Sequence, residues 1–433
     1  MIYWAPLFHF YQPPTQTRSI LMRVSNEAYR PLLEVLKEYP HARATVNISG
    51  VLTEMLWECG HSDIITKLGD LAEKGKIEFT GSAKYHPILP LIPKEEIERQ
   101  IRRNHLTNRY FLGDVYAPKG FFPPELCYSR DVVEPVIESR HEWIILSGVA
   151  CPVAWTMNVI HEISSDAEKL AVFFRDDILS NKISFKDVNG RGFIDHLKQL
   201  YKGEGNIYVI TAMDAETFGH HIQHWEKLFL AEVYETLEPV EVKKGTMRRQ
   251  KPLAEQHKKL FEFQKNGEIK LIEIVSISQL LDLFPKGSSI EPRPSSWSTT
   301  IDDIKARNYY PLWKDKDNTI HQMQWEHLDI TLELALKAVE VADNPTSRHF
   351  ASIARGLLDP ALHSCQFWWA SKRPMWDVNM VNRGLNLHRE VLLNAYKAIF
   401  VSGCSPQLKR QYYYKLVAAR DLSNKITDRL VSE

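Results

Sequence analysis

Residues 207–221 read IYVITAMDAETFGHH, an apolar, β-branched run that passes directly into a turn carrying two acids and two histidines. Side chains alternate along a strand, so Asp214 and Glu216 fall on one side of its C-terminal end while Met213 and Ala215 point away. Carboxyls in such a place are costly to bury unless they bind a cation, pair with bases or take part in proton transfer. The acidic first turn of a helix is the structural alternative. Working outward, similar runs recur at Tyr3–Phe8, Arg43–Ile48, Lys76–Thr80, Gly120–Phe122, Trp143–Leu146, Leu170–Phe174, Ile207–Thr211 and Leu271–Val275, separated by charged, helix-favouring stretches. Strands alternating with helices predict a parallel sheet. No G-x-G-x-x-G follows the first run, which leaves nothing to support a dinucleotide-binding sheet and favours an α/β barrel with its reacting groups at the C-terminal strand ends.

Beyond the last run the pattern changes. Residues 286–300 form a Pro/Ser-rich connection, and residues 301–433 carry apolar residues at helical spacing, notably over 319–342 and 377–401. The expected organisation is therefore a catalytic barrel over 1–285 and a helical C-terminal region over 301–433 that packs on the barrel and its cleft. The stretch Gln366–Trp369 (QFWW) suits either closure of that cleft or plain packing.

The chain has 433 residues with 54 Lys plus Arg and 54 Asp plus Glu, so it lacks the basic surplus that nucleic-acid or anionic-membrane partners call for. No apolar run approaches the roughly 20 residues of a membrane span, and residues 1–10 read as a strand rather than a signal segment. The five cysteines, Cys59, Cys127, Cys151, Cys365 and Cys404, lack zinc-site spacing and read as reduced, buried thiols. A cytoplasmic location is expected. Of the 11 Trp, 17 Tyr and 18 Phe most must be core, but Trp at this density also suits stacking on sugar faces.

A second acid stands in Gly120–Ser129 (GFFPPELCYS), where two prolines precede Glu125 at the end of a short aromatic strand and fix its direction. A solvent-facing glutamate opening a helix is the alternative. Both acids fall at predicted strand ends of one barrel, an arrangement suited to glycoside hydrolysis, in which one carboxyl protonates the leaving oxygen and the other attacks the anomeric carbon or activates water. The first run adds His9, Tyr11 and Gln12, hydrogen-bonding groups apt for sugar hydroxyls.

Four ordered segments, FHFYQPP (8–14), FTGSAKYHPILPL (79–91), GFFPPELCYS (120–129) and TAMDAETFGHH (211–221), resemble the motifs of glycoside hydrolase family 57, as do FFRDDILSNKISF (173–185) and SSWS (295–298). The tail segments PLWKDKDNTIHQMQW and HSCQFWW are similar to the helical ends of some members. The resemblance implies a distorted (β/α)7 barrel, one strand fewer than the eight runs. It further implies a retaining mechanism through a covalent glycosyl-enzyme, with Glu125 as nucleophile and Asp214 as general acid/base. Proximity of Glu125's negative charge is expected to hold the proton on Asp214. His9, His86, Glu216 and His220 match motif positions that frame the site or bind substrate, and Gln12, Trp297, Trp368 and Trp369 are candidate substrate contacts, with Trp313 and Trp376 as further subsite aromatics. The implied substrates are α-glucans or malto-oligosaccharides, with no cofactor and no metal.

Two rivals remain. Seven-stranded barrels also host metal-dependent deacetylases and zinc mannosidases, and His220 and His224 form an H-x-x-x-H pair able to place two ligands on one helical face. The first strand, however, lacks the H-x-D or D-D pair such enzymes commonly use there. A non-catalytic glycan-binding protein would keep the aromatics but leave both acids without a task.

Overall fold

The computed structural model describes residues 1–165, 168–237, 271–371 and 376–432. Its sheet contains β1 (Ile2–Phe10), β2 (Ala44–Ile48), β3 (Ile77–Gly81), β4 (Gly120–Phe121), β5 (Trp143–Ser147), β6 (Ile160–Ser165), β7 (Glu168–Arg175), β8 (Ile207–Asp214), β9 (Ile272–Ile274) and β10 (Lys286–Ser289). Seven of these, all parallel, run β7-β5-β4-β3-β2-β1-β8 around a curled wall. Between β8 and β7 the ladder gives way to two single bonds, from Asp176 N–H to Ile210 O at 2.8 Å and from Arg175 Nε to Ala212 O at 2.8 Å. That seam is the distortion in a seven-stranded α/β barrel.

The run expected at Leu271–Val275 is the one outside the wall. As β9 it pairs only with Ile2–Trp4 of β1 and leads into the helix Ile277–Leu283. Val275, Ile277, Leu280 and Phe284 join the barrel's interior and plug its floor. Two strands that periodicity did not predict, β6 and β10, extend the sheet beyond β7, with β6 antiparallel to it. Their sequences, IHEISS and KGSS, are too polar to stand out as buried runs. The stretch expected to be a connection is thus partly sheet. After β10 it runs back over the barrel, bridging Ser295 to Tyr128.

Alternation sorts the wall into two faces. Ile2, Trp4, Phe8 and Phe10 of β1 and Val209 and Met213 of β8 pack outward under the helices, whereas Ala5, Leu7, Tyr208, Ile210 and Ala212 fill the interior. Continuing the inward set one step further reaches His9 and Asp214, which are register partners on adjacent strands. The same parity puts Thr45 and Asn47 of β2 inside, opposite the outward Ala44, Val46 and Ile48.

Long helices follow at Thr319–Glu340, Pro345–Ala361, Val378–Val401 and Pro406–Ser432, the first and third where helical spacing predicts them. One apolar cluster contains Phe121, Ile144 and Val172 from the wall together with Trp313, Trp325, Leu358 and Phe367, so barrel and helices share a core. Trp325 and Phe367 stack at 4.3 Å within it. All five cysteines are unpaired; Cys127 and Cys151 are buried, whereas Cys59, Cys365 and Cys404 are only half-buried, contrary to the expectation for all five. Among the described residues no helix is long and apolar enough to cross a membrane.

Two glycines probe the packing. A Cβ on the inward-facing Gly120 would lie 1.9 Å from Cε2 of the buried Trp143 ring, whereas one on Gly69, in the helix Ser62–Glu73, would meet nothing within 4 Å. Gly120→Ala is expected to cost about 3 kcal/mol by overpacking, and Gly69→Ala to stabilise by about 0.5–1 kcal/mol through helix propensity. Thermal denaturation of the two variants beside the parent tests both signs.

Candidate active site

At the C-terminal rim of β1, hydrogen-bond geometry fixes the proton positions on two histidines. Asn47 Nδ2 donates to Thr80 Oγ1 at 2.9 Å, which leaves Asn47 Oδ1 facing His9 Nδ1 at 2.7 Å. His9 therefore carries its proton on Nδ1 and offers a bare Nε2. His86 Nε2, 3.0 Å away, must donate to it, and His86 Nδ1 then accepts from the Ser364 hydroxyl at 3.0 Å. Both rings are neutral in this arrangement. Burial lowers both from the usual imidazole range, and His86 falls well below it with His9 and His363 adding to the effect. His86 is held in the left-handed region (φ 57°), and its carbonyl accepts from Ser364 N–H at 3.1 Å. Phe122 stacks on His9 at 4.7 Å and Tyr11 on His86 at 3.8 Å.

Glu125 projects from a tight turn after β4. Pro123 and Pro124 set the approach, and Glu125 and Leu126 both take left-handed backbone (φ 59° and 49°), a costly conformation for branched or long side chains. The turn is held by Leu126 N–H to Pro123 O and Cys127 N–H to Pro124 O. Trp297 then grips the glutamate twice, through its backbone N–H to Glu125 O at 3.1 Å and its indole Nε1 to Glu125 Oε2 at 2.8 Å. The other carboxyl oxygen faces His86 Nδ1 at 3.7 Å, and the side chain is 17% exposed. Burial, and after it the charge of Asp214, pushes Glu125 up to about 8, against the pull of the Trp297 bond.

Asp214 ends β8 and is raised by burial, an effect that the guanidinium of Arg175 opposes. Arg175, itself buried, is fixed by bonds to Ala212 O, Asp177 Oδ1 and Asn181 Oδ1, and its guanidinium lies 5.7 Å from the Trp297 ring centre. Asp214 is thus raised, as expected, but with burial rather than the charge of Glu125 as the leading cause. Arg175 favours charge on Asp214, and the upward push is felt at Glu125. Glu216, from the turn Ala215–Thr217, is also buried and pushed up to about 8 by burial and by Asp214. Its Oε1 accepts from Gln12 Nε2 at 2.9 Å and from the Tyr29 hydroxyl.

Other residues singled out from sequence are distributed differently. His220 bonds Glu27 through Nδ1 at 2.6 Å, and His224 lies in a turn at φ 61°, so the H-x-x-x-H pair is not on one helical face. Among the described residues no three His, Cys, Asp or Glu side chains are grouped to hold a metal. Trp297 bonds the Glu125 carboxyl directly. Trp368 and Trp369 are half-buried and pack edge to face at 4.7 Å, while Trp313 is wholly buried in the shared core and presents no face to a ligand. Trp376, also half-buried, donates to Leu430 O.

Sequence reasoning missed Asn47, Tyr29, Arg175, Ser364 and Cys365. The Cys365 thiol lies 3.5 Å from the Tyr11 hydroxyl and is pushed up to about 12 by burial, with Glu125 and Asp214 contributing. Ser364 and Cys365, at the start of the helix Cys365–Trp368, thus carry the helical region into the site. For Asn47 and Arg175 a usable signal existed, since each is a polar residue at an inward position near the C-terminal end of an otherwise apolar strand.

Partly buried acids at the ends of two barrel strands, a neutral histidine pair and an indole clasp form a constellation that can be compared with known proteins. The chain is 30% identical over 219 residues to an α-amylase of Pyrococcus horikoshii, covering 49% of this chain and 33% of that protein. It is 26% identical over 219 residues to a 4-α-glucanotransferase of Thermococcus litoralis, covering 49% and 32%. It thus spans about a third of the length of these curated relatives. A family 57 branching enzyme from Thermococcus kodakaraensis, solved with glucose, shares the fold at a TM-score of 0.68 and 15% identity, over 97% of this chain and 95% of that one. The family model for glycosyl hydrolase family 57 matches residues 6–274, which include the C-terminal part of β1, all of β8 and every carboxyl discussed above. The chain belongs to glycosyl hydrolase family 57.

Proposed function

We propose that this chain is a retaining glycosidase or transglycosylase acting on α-linked glucans or malto-oligosaccharides, with Glu125 as nucleophile and Asp214 as general acid/base. The observation that carries the reading is the pair of partly buried carboxyls from the ends of β4 and β8, close enough that the charge of Asp214 raises Glu125. The names of the relatives, α-amylase and 4-α-glucanotransferase, support the substrate class.

In the first step Glu125 attacks the anomeric carbon while Asp214 gives its proton to the departing glycosidic oxygen. Two adjacent buried carboxyls disfavour double ionisation, so the pair holds one proton over a broad pH range. Arg175 biases the charge toward Asp214 in the free site. A glycosidic oxygen accepting a hydrogen bond from Asp214 reverses that bias, and the Trp297 indole stabilises the resulting Glu125 carboxylate. Esterification removes the charge of Glu125, and Asp214 then accepts a proton from water or from a sugar hydroxyl. His9, Gln12, His86 and Glu216 bind or orient the sugar or the acids. His220, Trp368 and Trp369 belong to more distant substrate contacts. The barrel of residues 1–285 carries the chemistry, with residues 301–433 closing its cleft, and no cofactor enters. The reading includes a cytoplasmic location.

Glu125→Ala is expected to lower turnover on maltoheptaose by on the order of 10⁴-fold or more, with azide restoring it and yielding a glycosyl azide of inverted configuration. Undiminished hydrolysis would remove Glu125 from the nucleophile's role. The product pattern from maltoheptaose and amylose assigns the acceptor: a ladder of longer and shorter chains marks transfer, short products alone mark hydrolysis, and new α-1,6 links mark branching.

The raised carboxyls also bear on stability. Unfolded glutamates release their protons near pH 4.3, whereas Glu125 and Glu216 in the fold keep theirs until about 8. The unfolded state therefore binds fewer protons across that window, and stability falls as pH rises through it. Glu125→Gln keeps an acceptor for Trp297 and removes the titration. Its Tm is expected to exceed the parent's near pH 7.5 and to converge with it near pH 4; equal Tm values at the higher pH would contradict the raised pKa.

A further inference from the structure

Away from the catalytic rim, a groove of about 510 Å³ lies between the helix Lys94–Leu112 and the helix Pro345–Ala361. Arg99, Arg103, Arg348 and Arg355 line it, and no carboxylate does among its described lining residues. In a chain whose acidic and basic counts are equal, that is a concentrated local surplus. Two carboxylates, Asp359 and Glu96, lie buried near these arginines. Arg99 holds Asp359 with two bonds of 2.6 and 2.9 Å, and Arg355 holds Glu96 at 2.9 and 2.6 Å while also reaching Asp359. Those two arginines already balance the two buried charges.

Arg103 and Arg348 are the surplus. Arg103 touches Asp359 through Nε at 2.7 Å, and its side chain is 36% exposed; Arg348 is exposed and donates through one Nη to the Asp343 carbonyl at 3.2 Å. A guanidinium whose Nε is engaged still presents its Nη donors, in a fork that matches two oxygens of a phosphate. The groove also stays open at Gly356. Glycine within a helix is destabilising against alanine, yet a Cβ there would meet nothing within 4 Å, so packing does not require it. Ser352 adds a hydroxyl to the lining. The volume falls in the range of small-molecule sites, about 300–1,000 Å³.

We propose that this groove binds a small dianionic ligand through a phosphate group, with Arg103 and Arg348 as its principal contacts and the Arg99–Asp359–Arg355 network as the rigid support beneath them. The shared chemistry admits free phosphate or a sugar phosphate.

Isothermal titration of the full chain with inorganic phosphate, glucose 6-phosphate and glucose tests the proposal, with Arg348→Gln and Arg103→Gln as variants. Arg348 lies outside the buried network, so its variant is expected to fold with unchanged Tm even if the other does not. The expected result is saturable one-to-one binding of phosphate or its ester, none of glucose, and affinity at least about tenfold weaker in Arg348→Gln. Weakening as salt rises to about 0.2 M is also expected, because exposed charges are screened there. Equal affinity for phosphate and ester assigns the whole contact to the anion; tighter binding of the ester adds a sugar contact. No saturable binding of either, or binding undiminished in Arg348→Gln, overturns the proposal.

Discussion

Removing a carboxyl group from water is among the largest local penalties a fold can carry, and this barrel carries three at one mouth. Glu125, Asp214 and Glu216 are all raised, with burial the leading cause for each. Much of the surrounding architecture answers that penalty without cancelling it. Trp297, Gln12 and Tyr29 supply neutral donors, and Arg175 supplies one fixed cation at the seam between β7 and β8. A second cation beside them would oppose that upward shift further. Neutral imidazoles at His9 and His86 are consistent with the same restraint.

The inward parity of β1 and β8 was legible because alternation is local. Once Ile2, Trp4, Phe8 and Phe10 are recognised as one face, His9 belongs to the other, and the same count places Asp214. Glu125 was legible for a different reason, since two prolines narrow the conformations of a turn before any tertiary contact is known. Ser364 was not. Its value lies in a bond to His86 across 278 positions of sequence, and the aromatic residues after it dominate any local reading. The eighth run is a strand too, but one outside the wall: Ile272 and Ile274 join the outer core and only Val275 the floor plug. A strand beside a barrel wall is as apolar as one that forms it, so Leu271–Val275 carries the same periodicity in a different role.

The helical region is bound to the barrel by polar as well as apolar means. Gln100 links Asp359 O to the backbone N–H of Tyr85, the residue before His86. Five positions after Asp359, Ser364 bonds the His86 ring. The arginine network around Asp359 and the histidine pair at the rim are therefore attached to the same short piece of chain.

The floor plug carries a consequence for the order of assembly. A ribosome releases the chain from the N-terminus, so all seven wall strands emerge before Val275, Ile277, Leu280 and Phe284 do. Until those residues arrive, the underside of the nascent barrel remains wet, and Ala5, Leu7, Tyr208 and Ile210 have no lid beneath them. The wall is thus synthesised as an open cup whose last apolar contacts come from downstream, and the drying of its interior coincides with arrival of the helix Ile277–Leu283 rather than with completion of β8.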